Sequence, residues 1–378
     1  MRSFTALFFA VFILLSCVVQ EVELPVFHAD ENPRQLSDWQ ILEINNDQLN
    51  LTDRVIPYDL NSPLFSDYAH KLRTIWIPEG QMADYRKTAT FDFPIGTIIS
   101  KTFFYPIPAS GGSDTVLKAD ENTSALLKNG FDLKTIRLIE TRLLVRRDAG
   151  WAALPYVWNE NQTEAYLKRV GDIRPLTLVK DGLAPEAFNY VVPNVNQCAG
   201  CHATNATSRE IFPIGPKARH LNKTFDYKNV KKNQLRAWQD KGVLSSLPSS
   251  TDIPKNADWS DTGAALDARA RAYLDVNCAH CHNSVGPADT SGLHLEPHSP
   301  DGSSLGRCKL PIAAGTGTGD RAFDIVPGKP DESIFTYRLA SIDPAVMMPE
   351  LGRTLSHSEG VTLIAEWIAA MEGTCDKG

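Results

Sequence analysis

The spacing of hydrophobic and polar positions changes about halfway along this chain. In the first half, short stretches of β-branched and aromatic residues alternate with turn signals, a pattern typical of antiparallel strands. The stretches that predict strands are 72–77, 97–105, 135–147 and 176–180. We therefore expect a β-rich domain over 36–192, built as an antiparallel β-sandwich-like unit.

After residue 193 the apolar positions recur at helical spacing. Helices are predicted at 233–242, at 263–278 and from Ser356 onwards, where Ser356 would cap the helix and Glu359 would complete a capping box. The stretch 245–261, rich in Ser, Pro and Asp, is the best linker candidate. The fold class expected is thus multidomain α+β, with mostly α-helical domains over 193–250 and 251–378 after the β domain.

The N-terminus reads as an export signal. Arg2 is the only charge before Glu21, and the apolar stretch between them is shorter than the ~20 residues that a membrane span needs. We assign 1–17 to a signal peptide and 18–35 to a tether. Because residues 14–17 (Leu-Leu-Ser-Cys) resemble a bacterial lipobox, Cys17 is a candidate lipidation site; the alternative is an ordinary signal peptide. The expected location is the periplasm, with membrane contact only through that lipid.

Composition narrows the partner classes. The chain carries 38 Lys and Arg against 45 Asp and Glu, so its net charge is −7. A nucleic-acid partner would require a basic face, and we therefore expect none.

Two motifs carry the chemistry. Residues 198–202 (Cys-Ala-Gly-Cys-His) and 278–282 (Cys-Ala-His-Cys-His) both match Cys-x-x-Cys-His, the signature of covalent haem c attachment. Two cysteines three positions apart lie about one helical turn from each other and reach the two vinyl groups of one haem. The following histidine becomes the proximal iron ligand. The predicted cofactors are two covalently bound haem c groups, held by Cys198, Cys201, His202, Cys278, Cys281 and His282.

Two other interpretations of these cysteines are weaker. Zinc motifs pair Cys-x-x-Cys units about 12–20 residues apart, whereas Cys201 and Cys278 are 77 positions apart. A thioredoxin-like dithiol requires neither the histidine nor a second copy of the motif.

The surroundings of the second motif resemble class I cytochrome c over residues 263–373. A helix runs into Cys278, the pair Met348-Pro349 follows, and a C-terminal helix closes the unit. The resemblance implies His282 as proximal ligand and Met348 as distal ligand, with Met347 as the obvious competitor. A thioether ligand raises the reduction potential relative to a second histidine.

The distal ligand of the first haem stays open at this stage. Methionine is absent between residues 83 and 346, which excludes a local thioether ligand. His220, 18 positions beyond His202, is the nearest candidate. Lys217, His70 and Met82 are others, and a five-coordinate iron that binds a small ligand is a further alternative.

Cysteine counting leaves Cys308 and Cys375, since four cysteines attach haem and Cys17 is the candidate lipid site. In an oxidising compartment two remaining cysteines most simply form a disulfide; two free thiols are the alternative.

The whole mature chain resembles a family of exported bacterial dihaem c-type cytochromes with an N-terminal β domain. The matching stretches are 58–69 (Tyr-Asp-Leu-Asn-Ser-Pro-Leu-Phe-Ser-Asp-Tyr-Ala), 93–97, 140–144, 156–158, both motifs and Met348-Pro349. Residues 215–222 also resemble cytochrome tails of dehydrogenases, in which glutamine or asparagine is expected where His220 stands. The α-helical domains would then be cytochrome c domains.

This resemblance implies electron transfer between redox protein partners, with a dehydrogenase or another cytochrome as the expected donor. The alternative is a haem enzyme, a peroxidase or small-substrate oxidoreductase, with an open first haem and a substrate-binding β domain. A third hypothesis makes the β domain a module that docks the cytochrome to its donor.

Overall fold

The computed structural model describes residues 25–119, 127, 130–227, 230–312 and 314–376. The predicted signal peptide, Cys17 and the first part of the tether lie outside the described residues. The strands, in chain order, are β1 Leu42–Asn45, β2 Gln48–Leu51, β3 Ile56–Tyr58, β4 His70–Trp76, β5 Ala83–Asp84, β6 Ile98–Pro106, β7 Thr115–Leu117, β8 Phe131–Asp132, β9 Ile136–Arg147, β10 Gly150–Trp158, β11 Ala165–Leu167, β12 Asp172–Val179, β13 Glu186–Val192, β14 Thr224–Tyr227, β15 Val230–Asn233 and β16 Leu244–Ser245. The α-helices are α1 Val195–His202, α2 Ala218–Leu221, α3 Gln234–Asp240, α4 Leu266–Asn277, α5 Ile334–Ala340 and α6 Ser358–Ala369.

A six-stranded antiparallel sheet forms the centre of the molecule, in the order β11-β10-β9-β6-β4-β3. Its long hairpin β9–β10 turns through two residues, because Arg147 pairs directly with Gly150, whose φ of +117° suits glycine. Three-stranded sheets β1-β2-β8 and β13-β12-β7 accompany it, and the β7–β12 pair is parallel.

Both faces of the six-stranded sheet are covered. Alternate residues of β6 point to opposite faces, as strand geometry requires. Ile98 and Phe104 pack in one core cluster with Trp39 of the β1-β2-β8 side. On the opposite face Ile99 shares a cluster with Trp238 of α3, and Phe103 shares another with residues of β12 and β13. The chain after residue 193 therefore lies against the second face of the sheet.

The predicted fold class is wrong. The protein is 21% helical and 27% strand, which conflicts with mostly α-helical cytochrome c domains. Helices α4 and α6 have only 12 residues each. Between them the chain runs through sequence rich in glycine and proline, which does not sustain helical hydrogen bonding, so this region consists largely of loops and 3-10 turns.

Helices α4 and α6 pack against each other at close range. A Cβ atom on Gly360 of α6 would lie 2.2 Å from Oη of Tyr273 on α4, so only glycine permits this approach. Cys308 and Cys375 form a disulfide with an S–S distance of 2.07 Å, which links the loop region to the chain beyond α6. In the part of the chain described, no helix is both long and apolar enough to cross a bilayer.

Hydrogen bonds hold the predicted linker 245–261 against the surface of the β region. The Ser62 hydroxyl donates to the carbonyl of Ala257 at 2.8 Å and accepts from the amide of Trp259 at 3.0 Å. Asn256 is buried and donates to the Asp275 carboxylate at 2.7 Å. These contacts connect the β region, the linker and α4.

Candidate haem-binding site

The first motif lies on helix α1, which begins directly after strand β13. Asn194 caps the helix: its side chain accepts from the amide of Gln197, and the Gln197 side chain accepts from the amide of Asn194. This capping box stabilises an eight-residue helix that would otherwise be marginal. It sets Cys198 and Cys201 one helical turn apart and makes His202 the last helical residue.

The second motif begins where helix α4 ends. Cys278 is the C-cap residue, and its carbonyl accepts from the amides of Cys281 at 3.1 Å and His282 at 2.9 Å. This tight turn brings both cysteines and the histidine of the motif close together.

Both motif histidines carry their proton on the same ring nitrogen, Nδ1. Nδ1 of His202 lies 2.7 Å from the carbonyl oxygen of Phe212, which can only accept, so Nδ1 carries the proton. Nδ1 of His282 lies 3.0 Å from Oγ of Ser291, whose own proton goes to the carbonyl of Ala288. In each ring the lone pair therefore lies on Nε2, the arrangement that a second hydrogen bond imposes on a metal-ligating histidine.

Burial keeps both imidazoles neutral. It lowers the pKa of His202 to about 4, with a further contribution from Lys101, and it lowers the pKa of His282 to about 4, with a contribution from Arg338. A neutral imidazole is the form that donates a lone pair to iron.

The four motif cysteines are free thiols, whereas Cys308 and Cys375 are disulfide-bonded. Sγ of Cys281 lies 4.0 Å from the carbonyl oxygen of Gly200, so the two motifs touch. A backbone hydrogen bond of 2.7 Å from Ala206 to Val285 joins the segments that follow them. Thioether formation consumes free thiols, and these four meet that requirement.

A large cleft, open to solvent, lies beside the first motif and His280 of the second. Its walls come from the second face of the six-stranded sheet, from the first motif with the chain that follows it, and from α4 with the Met348 loop. Residues from these three regions include Ile99, Leu144, Cys198, Cys201, His202, Tyr273, His280 and Met348.

The sheet side of the cleft carries a row of three cations. Lys101 of β6 pairs across the strands with Arg73 of β4 on one side and with Arg142 of β9 on the other, and all three line the cleft. Arg73 donates to Asp59 at 2.9 Å, and Arg142 forms two hydrogen bonds to Glu140. Like charges directly opposite each other repel, so this row favours an anionic group in the cleft.

Lys101 is the central member of the row. Its ammonium lies 5.2 Å from the centre of the Phe103 ring. Burial, together with the neighbouring charges of Arg142 and Arg73, lowers the pKa of Lys101 to about 7. A carboxylate in the cleft would stabilise the charged amine of Lys101 and so raise its pKa.

Met348 lines the cleft, whereas the competing Met347 is buried in the protein with 6% of its surface exposed. Arg353 holds the Met348 loop through a 2.8 Å hydrogen bond to the Met348 carbonyl. The buried carboxylate of Asp67, in the β region, accepts from the amides of Thr354 at 2.8 Å and Leu355 at 2.7 Å. The loop position is thus set from both halves of the chain.

The other predicted ligands of the first haem lie elsewhere. His220 is buried behind α4, with Nε2 3.5 Å from Oδ2 of Asp275, and Arg219 forms two hydrogen bonds to the same carboxylate. His70 stacks on Phe104 and lies beside a second cleft. Met82 is 49% exposed. None of these side chains, nor Lys217, is part of the lining of the large cleft as the structure describes it.

A structural zinc site would need three or four ligand side chains converging on one point. Over 25–119, 127, 130–227, 230–312 and 314–376 no group of three or more His, Cys, Asp or Glu side chains does so. Comparison of the chain with protein-family models, with curated proteins and with solved structures found no match.

Two features of the cleft were missed in the sequence. Arg73 and Lys101 each interrupt an apolar stretch that predicts a strand, and this interruption was the available signal; Arg142 was a candidate site residue of the β domain, with cross-strand pairing as the alternative. His280 occupies a variable position of the second motif, and its burial with 6% exposure was not predicted.

Proposed function

We propose that the protein is an exported dihaem c-type cytochrome that passes single electrons between redox protein partners. The observation that carries the proposal is the matched geometry of His202 and His282. Each Nδ1 is engaged by an acceptor, each Nε2 lone pair is available, and free cysteines stand three positions apart before each histidine. Cys198, Cys201 and His202 of the first motif and His280 of the second line a cleft whose sheet side carries Arg73, Lys101 and Arg142.

Each haem, when bound, supplies an iron that alternates between the ferrous and ferric states and so exchanges one electron at a time. Cys198 and Cys201 would hold the first haem, and Cys278 and Cys281 the second. The apolar cleft walls limit access of water, which influences the reduction potential. The row of Arg73, Lys101 and Arg142 would balance the haem carboxylates.

For the second haem we propose His282 as proximal ligand and Met348 as distal ligand. The burial of Met347 favours Met348 over its neighbour, and the pairing of Met348 with His282 follows from the resemblance to class I cytochrome c over residues 263–373. The electron would come from a reduced dehydrogenase or cytochrome and leave to an oxidised partner. We further propose a periplasmic location with Cys17 as lipid anchor.

The test is the mass and absorbance of the full chain, matured in a host that attaches haem c in its periplasm. We expect two haem additions in the wild type and one in each double variant, Cys198→Ser with Cys201→Ser and Cys278→Ser with Cys281→Ser. The matched control, Cys308→Ser with Cys375→Ser, should keep both. A colourless wild-type protein whose four motif thiols all react with an alkylating agent would refute the proposal.

A further inference from the structure

The histidine inside the second motif has surroundings that its attachment chemistry does not explain. His280 stands between the two cysteines, yet thioether formation uses only the cysteines, and proximal ligation uses only the histidine that follows them. Its side chain is nevertheless buried, with 6% exposure. A solvated surface position would have been sufficient for attachment.

His280 also lacks a polar partner where one is expected. Its Nδ1 atom is buried and has no hydrogen-bond partner among the residues that the structure describes. An unsatisfied buried polar atom is unfavourable, and such atoms in native proteins often indicate a missing ion or ligand. The ring lines the same cleft as Cys201 and His202 of the first motif. Contact between the motifs, at Cys281 and Gly200, brings this position towards the first haem site.

The other buried histidines are engaged by protein groups or lie outside the cleft, although Nδ1 of His220 also lacks a hydrogen bond among the described residues. His357 lies 3.1 Å from the Tyr273 hydroxyl through Nδ1 and 3.7 Å from Glu359 through Nε2, and it stacks on Phe65. His220 faces Asp275 outside the cleft lining. Lys101 faces the cleft from the sheet, where the cationic row suits haem carboxylates.

We propose that His280 is the distal iron ligand of the first haem, opposite His202. This inference rests on the proposed dihaem function, in which Met348 belongs to the second haem, and it completes that proposal by giving the first haem a distal ligand. The first haem would then have two histidine ligands and the second a histidine and a methionine. Since a methionine ligand raises the reduction potential, the second haem would be the stronger acceptor.

The proposal also connects the two haems through one short peptide. His280 is adjacent to Cys281 and two residues after Cys278, so the ligand of one iron would lie between the attachment points of the other haem. Electrons would then have a route between the sites that follows bonded atoms.

The experiment compares the wild type with His280→Ala and His280→Met in the full, matured chain. In the ferrous wild type we expect the first haem to exclude carbon monoxide. In the ferrous state, His280→Ala should bind one additional equivalent of carbon monoxide per molecule. In the ferric state, the same variant should show a new high-spin signal in electron paramagnetic resonance. His280→Met, which keeps the volume, should remain low-spin and raise the potential of one haem.

The matched control is His220→Gln, at a buried histidine near the same helix, which should change neither carbon monoxide binding nor the potentials. The inference is overturned if His280→Ala keeps the wild-type spectrum, or if His220→Gln rather than His280→Ala opens a haem. If the Ala variant fails to mature, an unchanged potential in His280→Met overturns it equally. These results differ from failure of the proposed function, in which the wild type itself lacks two haems.

Discussion

The two motif regions reach the same histidine geometry by different means. The second motif follows helix α4, and α6, Met348 and the disulfide lie in the same stretch of chain after residue 251. The first motif sits on one capped turn of helix between a strand and a loop, and its cleft wall is the β-sheet. The cleft that the first motif lines is thus assembled from distant parts of the chain, including Met348 from the C-terminal stretch.

This difference explains why the residues that flank the first motif in the sequence do not reveal the rest of its site. The residues that face it, Lys101 and His280, are 101 positions before and 78 positions after His202. A site assembled from such distant segments forms only when the whole chain has folded, because each loop must close before its contact contributes.

Among the tests of this contrast, removal of the disulfide has the largest expected effect on stability. Replacing Cys308 and Cys375 with serine releases a loop of 67 positions, and loop-closure entropy predicts a loss of about 4 kcal/mol in the free energy of unfolding. Denaturant titration followed at the absorbance of the second haem measures it. Wild type treated with a reductant should match the variant, and an unchanged midpoint in both would show that the second region does not depend on this link.

His220 provides a pH-dependent test at the contact between the regions. Burial lowers its pKa to about 3 from 6.5, despite Asp275, with Arg219 and Lys217 lowering it further. Between these two values the unfolded chain binds the extra proton, so the free energy of unfolding falls as the pH falls. The contribution of one such group is about 1.4 kcal/mol per pH unit.

We therefore expect His220→Gln to flatten the fall in melting temperature between pH 6 and pH 4. The matched control is His298→Gln, since the His298 side chain is 63% exposed and should leave the slope unchanged. Equal slopes for wild type and both variants would mean that His220 titrates in the folded protein as it does in the unfolded chain.

The smallest expected effect concerns the cationic row of the first region. Lys101→Met removes a positive charge that disfavours the ferric state, so the potential of the first haem should fall while that of the second stays constant. Redox titration of the matured protein measures both potentials. Lys168→Met, at an exposed lysine, is the control, and a larger shift at the second haem would reverse the assignment of the row to the first site.

Strands and helices with strong periodicity could be predicted closely. The stretch 97–105 corresponds to β6 at Ile98–Pro106, and 263–278 corresponds to α4 at Leu266–Asn277. Their alternating or helical apolar positions reflect one buried face, which is a local property of the sequence.

Contacts between distant segments could not be predicted in this way. Ser356 does not cap the last helix, because His357 is the N-cap residue and makes no side-chain cap bond. Glu359 instead binds Tyr68 and Lys118 from the β region. The alignment of Arg73, Lys101 and Arg142 depends on strand register, which no single segment specifies.

The Asp67 carboxylate has a consequence for how the molecule can be divided. Two amides of the Met348 loop rely on this one side chain from the other half of the chain. A fragment that starts at residue 251 would lose those hydrogen bonds, and the Met348 loop would be held only by contacts within the fragment, such as the bond from Arg353 to the Met348 carbonyl. Transfer of residues 251–378 to another protein would therefore require a new hydrogen-bond acceptor for the amides of Thr354 and Leu355.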